Sequence, residues 1–203
     1  MTETEQPTAN FAVKPTLTGT VAVLRPFDLD RDMSALREML LDAEGVRLTG
    51  SASLPGDELE WGERDEAKFR DWYGTRNDQS DRLDLAITDR TTGQCVGEAV
   101  LNDWDPGNRS SNFRIMIGPR GRDRGLGTDA VRLIVGYGFG SLGLHRISLE
   151  VYDFNPRARR VYEKAGFAAE GVLRDALYWD GEWISATVMS ILAPEWASHH
   201  GRP

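Results

Sequence analysis

The sequence has a single cysteine, Cys95, in 203 residues, which excludes an internal disulfide or a site built from several thiolates and fits a reducing compartment. No apolar run approaches the ~18 residues a membrane helix needs; the best stretch, Ile184 to Ala193, is ten residues long and contains two serines and a threonine. The opening residues, MTETEQPTANF, carry neither a basic leader nor an apolar segment, so a cytoplasmic location is expected rather than export or membrane association. Excess positive charge is also missing. The net charge of −8 argues against sequence-independent binding to DNA or RNA, which needs basic surface to displace counterions. Repeats and low-complexity tracts are absent as well. What is present is globular composition, 40% hydrophobic and 28% charged, at a length near that of one domain.

The acidity is uneven. Residues 1–70 hold fourteen Asp/Glu against eight Lys/Arg, whereas residues 109–124 hold five arginines (Arg109, Arg114, Arg120, Arg122, Arg124) against Asp123 alone. A second basic cluster, Arg157, Arg159, Arg160 and Lys164, is opposed only by Glu163. Two basic islands in an acidic chain suit a small bound anion better than a polyanion, although a solvated arginine-rich face has the same composition.

Residues 1–20 are polar, contain Pro7 and Pro15, and read as a flexible arm preceding a domain over 21–196, with 197–203 as a tail. Val21 to Arg25 reads as a strand. Asp28 and Asp30 offer caps for a helix carrying Met33, Leu36 and Leu40. The glycines and proline of 42–63 predict a long irregular stretch, and residues 64–76 a helix burying Ala67–Phe69 and Trp72–Tyr73. Segments 83–88, 95–104 and 112–118, separated by turns at Thr92–Gly93 and Asp105–Asn108, predict an antiparallel meander. A helix over 128–139, a strand over 146–152 and a helix over 156–165 follow; the last has Asn155 as cap, Pro156 at its first position and Gly166 as stop. Residues 170–178 and 183–192 form a hairpin through Asp180–Gly181. The expected class is mixed α/β (α+β), with a mostly antiparallel sheet of about seven strands and flanking helices.

The segment Arg122-Asp123-Arg124-Gly125-Leu126-Gly127-Thr128 lies between a strand and a helix. Its glycines let successive N–H groups turn toward an anion at the positive end of the helix. A P-loop would close on Gly-Lys-Ser/Thr, which is absent. Gly125-Leu126-Gly127-Thr128-Asp129-Ala130 matches the dinucleotide fingerprint, with Glu150 at the distance of a ribose-binding acid. The context does not match. Residues 119–124 separate the strand from the first glycine, three strands precede the motif, and fewer than eighty residues follow it.

Arg122-x-x-Gly125-x-Gly127 instead resembles the acyl-coenzyme A pyrophosphate loop, Gln/Arg-x-x-Gly-x-Gly/Ala, of the GNAT acyltransferase superfamily. The resemblance extends in register through Leu142-Gly143-Leu144-His145-Arg146-Ile147-x-Leu149-x-Val151, Asn155-Pro156 and Val161-Tyr162-Glu163-Lys164-Ala165-Gly166-Phe167. The ending, Glu170-Gly171-Val172-Leu173-Arg174 through Met189-Ser190-Ile191-Leu192, is similar to the RimJ/RimL-like branch. It covers about Val21 to Trp196 and implies a GNAT fold that moves an acetyl group from acetyl-CoA to a primary amine, without metal.

On that resemblance the amides of Arg124, Gly125, Leu126, Gly127 and Thr128, with the charges of Arg122 and Arg124, bind the diphosphate. Arg159, with Arg157, meets the remaining phosphate charge, and Asn155 adds a cofactor contact to its cap. The pantetheine arm pairs with the backbone near Ile115 and Ile117, the N–H near Met116 polarises the thioester oxygen, and Tyr162 protonates the leaving thiolate. Many relatives place an acid where this chain has Asn112-Phe113-Arg114, so the base stays open among Glu98, Asp103, Asp105 and Glu150, with Glu98 taken first. The acidic first third suggests a cationic acceptor, a peptide amino terminus or small amine. Aromatic hairpins are compatible with a homodimer. A second reading is a degenerate domain that binds acyl-CoA without turnover.

The other conspicuous residues read as structural. Cys95 lacks a histidine partner, His145 enters a strand, and His199 and His200 lack the carboxylates of a metal site. The tryptophans read mostly as core, with Trp61 and Trp104 as candidates for lining an acceptor pocket.

Overall fold

In the computed structural model, which describes residues 9–50 and 63–200, apolar alternation produces eight strands: β1 (Leu17–Thr18), β2 (Ala22–Arg25), β3 (Leu83–Asp89), β4 (Cys95–Asp105), β5 (Ser110–Ile117), β6 (Arg146–Tyr152), β7 (Ala168–Trp179) and β8 (Glu182–Leu192). They form one sheet in the order β1-β2-β3-β4-β5-β6-β8-β7, with every pairing antiparallel except β5–β6. Among the described residues six α-helices flank it: α1 (Leu29–Leu41), α2 (Ala43–Thr49), α3 (Glu63–Gly74), α4 (Leu126–Gly140), α5 (Pro156–Lys164) and α6 (Ala193–His200).

The period-two pattern sends alternate residues into two cores. On one face, Leu85, Ile87, Ala99, Leu101, Phe113 and Ile147 meet Ala130, Val131, Ile134 and Val135 of α4. On the other, Ala86, Cys95 and Met116 meet Met33, Leu36 and Met39 of α1 and Phe69 and Tyr73 of α3. The inward residues of α4 recur at helical spacing, and those of β6 (Ile147, Leu149 and Val151) alternate along the strand. Asp129, in the first turn of α4, accepts hydrogen bonds from the N–H groups of Val21 and Ala22 (2.8 and 2.9 Å), which fixes the start of that helix to the start of β2.

Parallel β5 and β6 are paired only at Ser110–Arg146, Ser111–Ile147 and Asn112–Ser148. Beyond Asn112 the strands diverge. β5 stays paired with β4 as far as Ile117, and β6 with β8 as far as Tyr152, so the sheet splits along this one seam.

Several expectations are corrected. The mostly antiparallel sheet is the expected one, and the correction is that a short additional strand, β1, lies in the supposed arm. Residues 9–20 are anchored there: Phe11 is 1% exposed, with its ring 5.4 Å from that of Trp104, and Lys14 Nζ donates to the carbonyls of Phe11, Gln79 and Arg82 at 2.8, 2.7 and 2.6 Å. Three carbonyls satisfy an ammonium that burial would otherwise penalise. Trp104 is thus half-buried against the core rather than part of an acceptor pocket, and Trp61 lies outside the described residues. Of the stretch expected to be irregular, residues 43–49 are helical, because the Asp42 carboxylate caps Gly45 N–H at 2.7 Å and Gly50 closes the helix in the left-handed region (φ 63°); residues 51–62 lie outside the described residues. Among the described side chains of α3, Phe69 and Tyr73 are buried, while Ala67 and Trp72 are exposed. Residues 197–200 continue helix α6 rather than a tail.

Replacing Phe11 by Ala should therefore cost about 3–5 kcal/mol in urea denaturation. A loss below about 1 kcal/mol, in the range of ordinary surface substitutions, would mean the segment is not anchored.

Candidate active site

The seam between β5 and β6 opens into a cleft of about 1350 Å³, above the ~300–1,000 Å³ usual for small-ligand sites. Ile115, Met116 and Ile117 line it from β5, Glu150 to Tyr152 from β6, and Asn155 and Tyr162 from α5. Gly125, Gly127 and Thr128 line it from the loop and first turn of α4.

The loop is shaped by backbone geometry. Asp123 and Gly125 adopt φ values of 59° and 78°, and the cap of α4 is Gly125, which has no side-chain oxygen to return to the first-turn N–H groups. At 127 an added Cβ would meet Ile117 at 3.6 Å, an ordinary contact, whereas Gly125 is held in a conformation that L residues rarely adopt. That contrast fits a motif requiring glycine at the first site and accepting glycine or alanine at the second.

The arginines separate. Arg122 lines the cleft, but its guanidinium pairs with Asp42 and, at 2.7 Å, with Glu44, tying the loop to α2. Arg124 points away from the cleft, pairs with Asp89 and donates to the Arg120 carbonyl at 3.1 Å. Leu126 turns its side chain into the core, 1% exposed. Arg159 pairs with Glu163 at 3.0 Å and does not line the cleft; Arg157, paired with Asp123 at 3.0 Å, does. The alternation of helix α5 decides which of the two faces inward, and their shared charge did not reveal it.

Tyr162 is 8% exposed, edge-on to Phe113 (6.2 Å between centroids) and tilted against Phe167 (6.0 Å). Burial pushes its phenol pKa up, so the hydroxyl keeps its proton at neutral pH. Asn155 uses both ends of its amide: Oδ1 accepts from Ala158 N–H at 3.0 Å and Nδ2 donates to the Leu48 carbonyl at 3.2 Å, joining α5 to α2. Glu98 lines the cleft from β4 and accepts from the Tyr73 hydroxyl at 2.9 Å. Burial raises its pKa, against the opposing effects of Tyr73 and Arg114. Cys95 is buried and its thiol is pushed up to about 12, chiefly by burial, which removes it as a nucleophile.

Some cleft residues read from the sequence only as buried helix positions. Tyr73 stands one turn after Phe69 on the buried stripe of α3, and its hydroxyl escapes the apolar cluster to reach Glu98. Trp72, 54% exposed, also lines the cleft and stacks beneath Arg76 at 3.7 Å. Much of the acidity of the first third is internally balanced: Asp32 by Arg25, Asp42 and Glu44 by Arg122, and Glu38 by Arg120.

Residues 22–168 match the family model of the acetyltransferase (GNAT) domain. Spermidine N(1)-acetyltransferase of Escherichia coli K12 is 32% identical over 127 residues, 63% of this chain and 67% of that protein. Among solved structures, spermidine N-acetyltransferase from Vibrio cholerae in complex with CoA and spermine superposes with a TM-score of 0.72 at 21% identity, covering 86% of this chain and 97% of that one. Mycobacterium smegmatis RimJ in complex with CoA-disulfide superposes at 0.75 and 21% identity, covering 91% and 90%. At such identities the two structures speak for the fold alone.

The two loop glycines should respond oppositely to alanine. Gly125→Ala should destabilise by about 1–2 kcal/mol, the cost of a left-handed L residue, and Gly127→Ala should be neutral or stabilise by about 0.5 kcal/mol. Equal effects in urea denaturation would contradict the loop geometry.

Proposed function

The chain belongs to the GNAT acetyltransferase family, and on that premise we propose that it transfers the acetyl group of acetyl-CoA to a primary amine, a peptide amino terminus or a small cationic amine, by direct attack of nitrogen on the thioester. The observation that carries this reading is the open seam between β5 and β6, into which the glycine-capped start of α4 also faces. The residues present fit such a carrier: an unpaired strand edge suits the amides of a pantetheine arm, and a helix start without a side-chain cap suits a diphosphate. Acetyl-CoA supplies an activated acyl carbon and a sulfur leaving group.

In this reading the N–H groups of Leu126, Gly127 and Thr128 hold the diphosphate, with Arg122 and Arg157 adding charge from the cleft wall. Arg124 braces the loop from behind through Asp89. The backbone of Ile115 and Ile117 pairs with the pantetheine arm as an added strand. A seam-facing N–H beside Met116, which is itself laddered to Glu98 of β4, donates to the thioester oxygen as it gains charge. Glu98, held by Tyr73, takes the proton released as the C–N bond forms, through water. Tyr162 gives its proton to the sulfur as the C–S bond breaks, and Asn155 holds the helix that carries it. The raised pKa values suit both roles, since the base becomes stronger and the acid stays protonated.

Calorimetry should detect binding of acetyl-CoA, and a thiol-release assay should find turnover with at least one primary amine; no uptake of acetyl-CoA would end this reading. Tyr162→Phe keeps the ring contacts and should lower kcat by about 10²-fold or more with unchanged acetyl-CoA affinity. An unchanged kcat would leave Tyr162 a core residue only.

Because Glu98 ionises above the ordinary carboxylate value of ~4.3, kcat/KM should climb as pH rises through its elevated pKa, and Glu98→Gln should remove that limb. The sign for stability is opposite: the protonated carboxyl favours the folded state at low pH, and its contribution fades as pH rises through the folded-state value. A limb that survives in Glu98→Gln would assign the proton transfer elsewhere.

A further inference from the structure

Most charges in the cleft are spent on one another. Arg82 grips Asp84 with two hydrogen bonds (2.7 and 2.8 Å), Arg122 holds Asp42 and Glu44, and Arg157 holds Asp123. Arg114 and Glu150 are different. Both line the cleft, both are exposed, and neither has an ion-pair or hydrogen-bond partner among the described residues.

Register explains their isolation. Asn112–Ser148 is the last pair of the β5–β6 ladder, so Arg114 and Glu150, each two residues further on, sit at the same level on the same face of the two strands. Had the ladder continued they would be cross-strand neighbours and pair. The divergence leaves one positive and one negative group facing an open gap. On its other side Arg114 is level with Val100, which offers no charge, and Glu98, which feels its field, is engaged by Tyr73. Arg114 also precedes Met116 by two residues, roughly 7 Å along the strand, and shares its face. An anion held by Arg114 therefore lies within a few bonds of a nitrogen approaching Met116.

We infer that Arg114 and Glu150 select an acceptor amine that also carries a carboxylate, Arg114 binding the carboxylate and Glu150 the arriving ammonium; this rests on the acetyl transfer proposed above. The guanidinium fork matches a carboxylate with two parallel hydrogen bonds. At Arg114 a singly charged carboxylate suits better than a phosphate, which would meet Glu98 on the adjacent strand and Glu150 across the gap.

The test uses amine pairs that differ in the carboxylate: lysine against 1,5-diaminopentane, phenylalanine against phenethylamine, and the peptide amides Ser-Asp-Ala against Ser-Asn-Ala. Each is assayed for acetylation and, by calorimetry, for binding to the CoA-loaded protein. The carboxylate member should have a KM and Kd about tenfold or more lower. Arg114→Gln should collapse that ratio toward one, Arg114→Lys should restore part of it, and Glu150→Gln should weaken both members of each pair, all with unchanged KM for acetyl-CoA. Preference for free amino acids identifies a small-molecule acceptor, and preference for the aspartyl peptide identifies a peptide; either supports the inference. Equal or better binding of the diamine, or a ratio that survives Arg114→Gln, overturns it. If no amine is acetylated while calorimetry retains the preference, acetyl transfer fails and the selectivity stands.

Discussion

Two parallel strands that share three rungs and then part are the constraint on which the rest of this molecule depends. An unpaired strand edge carries N–H and C=O groups that must find partners, in water or in a ligand. The split is maintained because the strands on either side are firmly held: β5 is laddered to β4 along most of its length, and β6 to β8 through seven residue pairs. At the far end the wall is closed by side chains with two duties. Asn155 caps α5 and binds the Leu48 carbonyl of α2, and Arg122 binds both acids at the start of α2. The seam is therefore built into the packing of the strands and helices on either side of it.

The electrostatics follow the same geometry. A chain with net charge −8 invites the expectation of an acidic binding surface, yet much of that acidity is consumed in ion pairs that fasten helices to the sheet. Asp32 is 1% exposed beside Arg25, and Asp84 is 3% exposed beside Arg82. Buried pairs of this kind contribute little net stability, but removing one partner strands the other. They specify where α1 and β3 sit more than how strongly they are held. What remains free in the cleft is a small mixed set of charges, and bulk charge is a poor guide to it.

Much of this was legible in sequence where a local rule sufficed. Asn155, Pro156 and Gly166 bounded α5; Asp180–Gly181 placed the β7–β8 turn, with both residues at positive φ (50° and 82°). The glycines of 125 and 127 located the loop, and Tyr162 was placed in the cleft by the motif that carries it. Elsewhere the local signal pointed the wrong way. The glycines at 45 and 50 suggested a loop, although Asp42 and Gly50 act as the two caps of a short helix. Phe11 and Lys14 looked like parts of a polar arm because their partners, Trp104, Gln79 and Arg82, lie more than sixty positions away. Arg157 and Arg159 share composition but not orientation, and the pairing of Tyr73 with Glu98 joins a helix to a strand across the interior. Such contacts are tertiary, and no window of neighbouring residues contains them.

The docking of Phe11 against Trp104 has a consequence for how the chain is made. Translation delivers Phe11 before the tryptophan that covers it, which emerges about ninety residues later, at ~5–20 residues per second. For some seconds an apolar ring and a lysine without two of its three carbonyl ligands wait beside the ribosome. Long-range closure of this sort slows folding and leaves unfinished sheet edges exposed while the polypeptide is still growing.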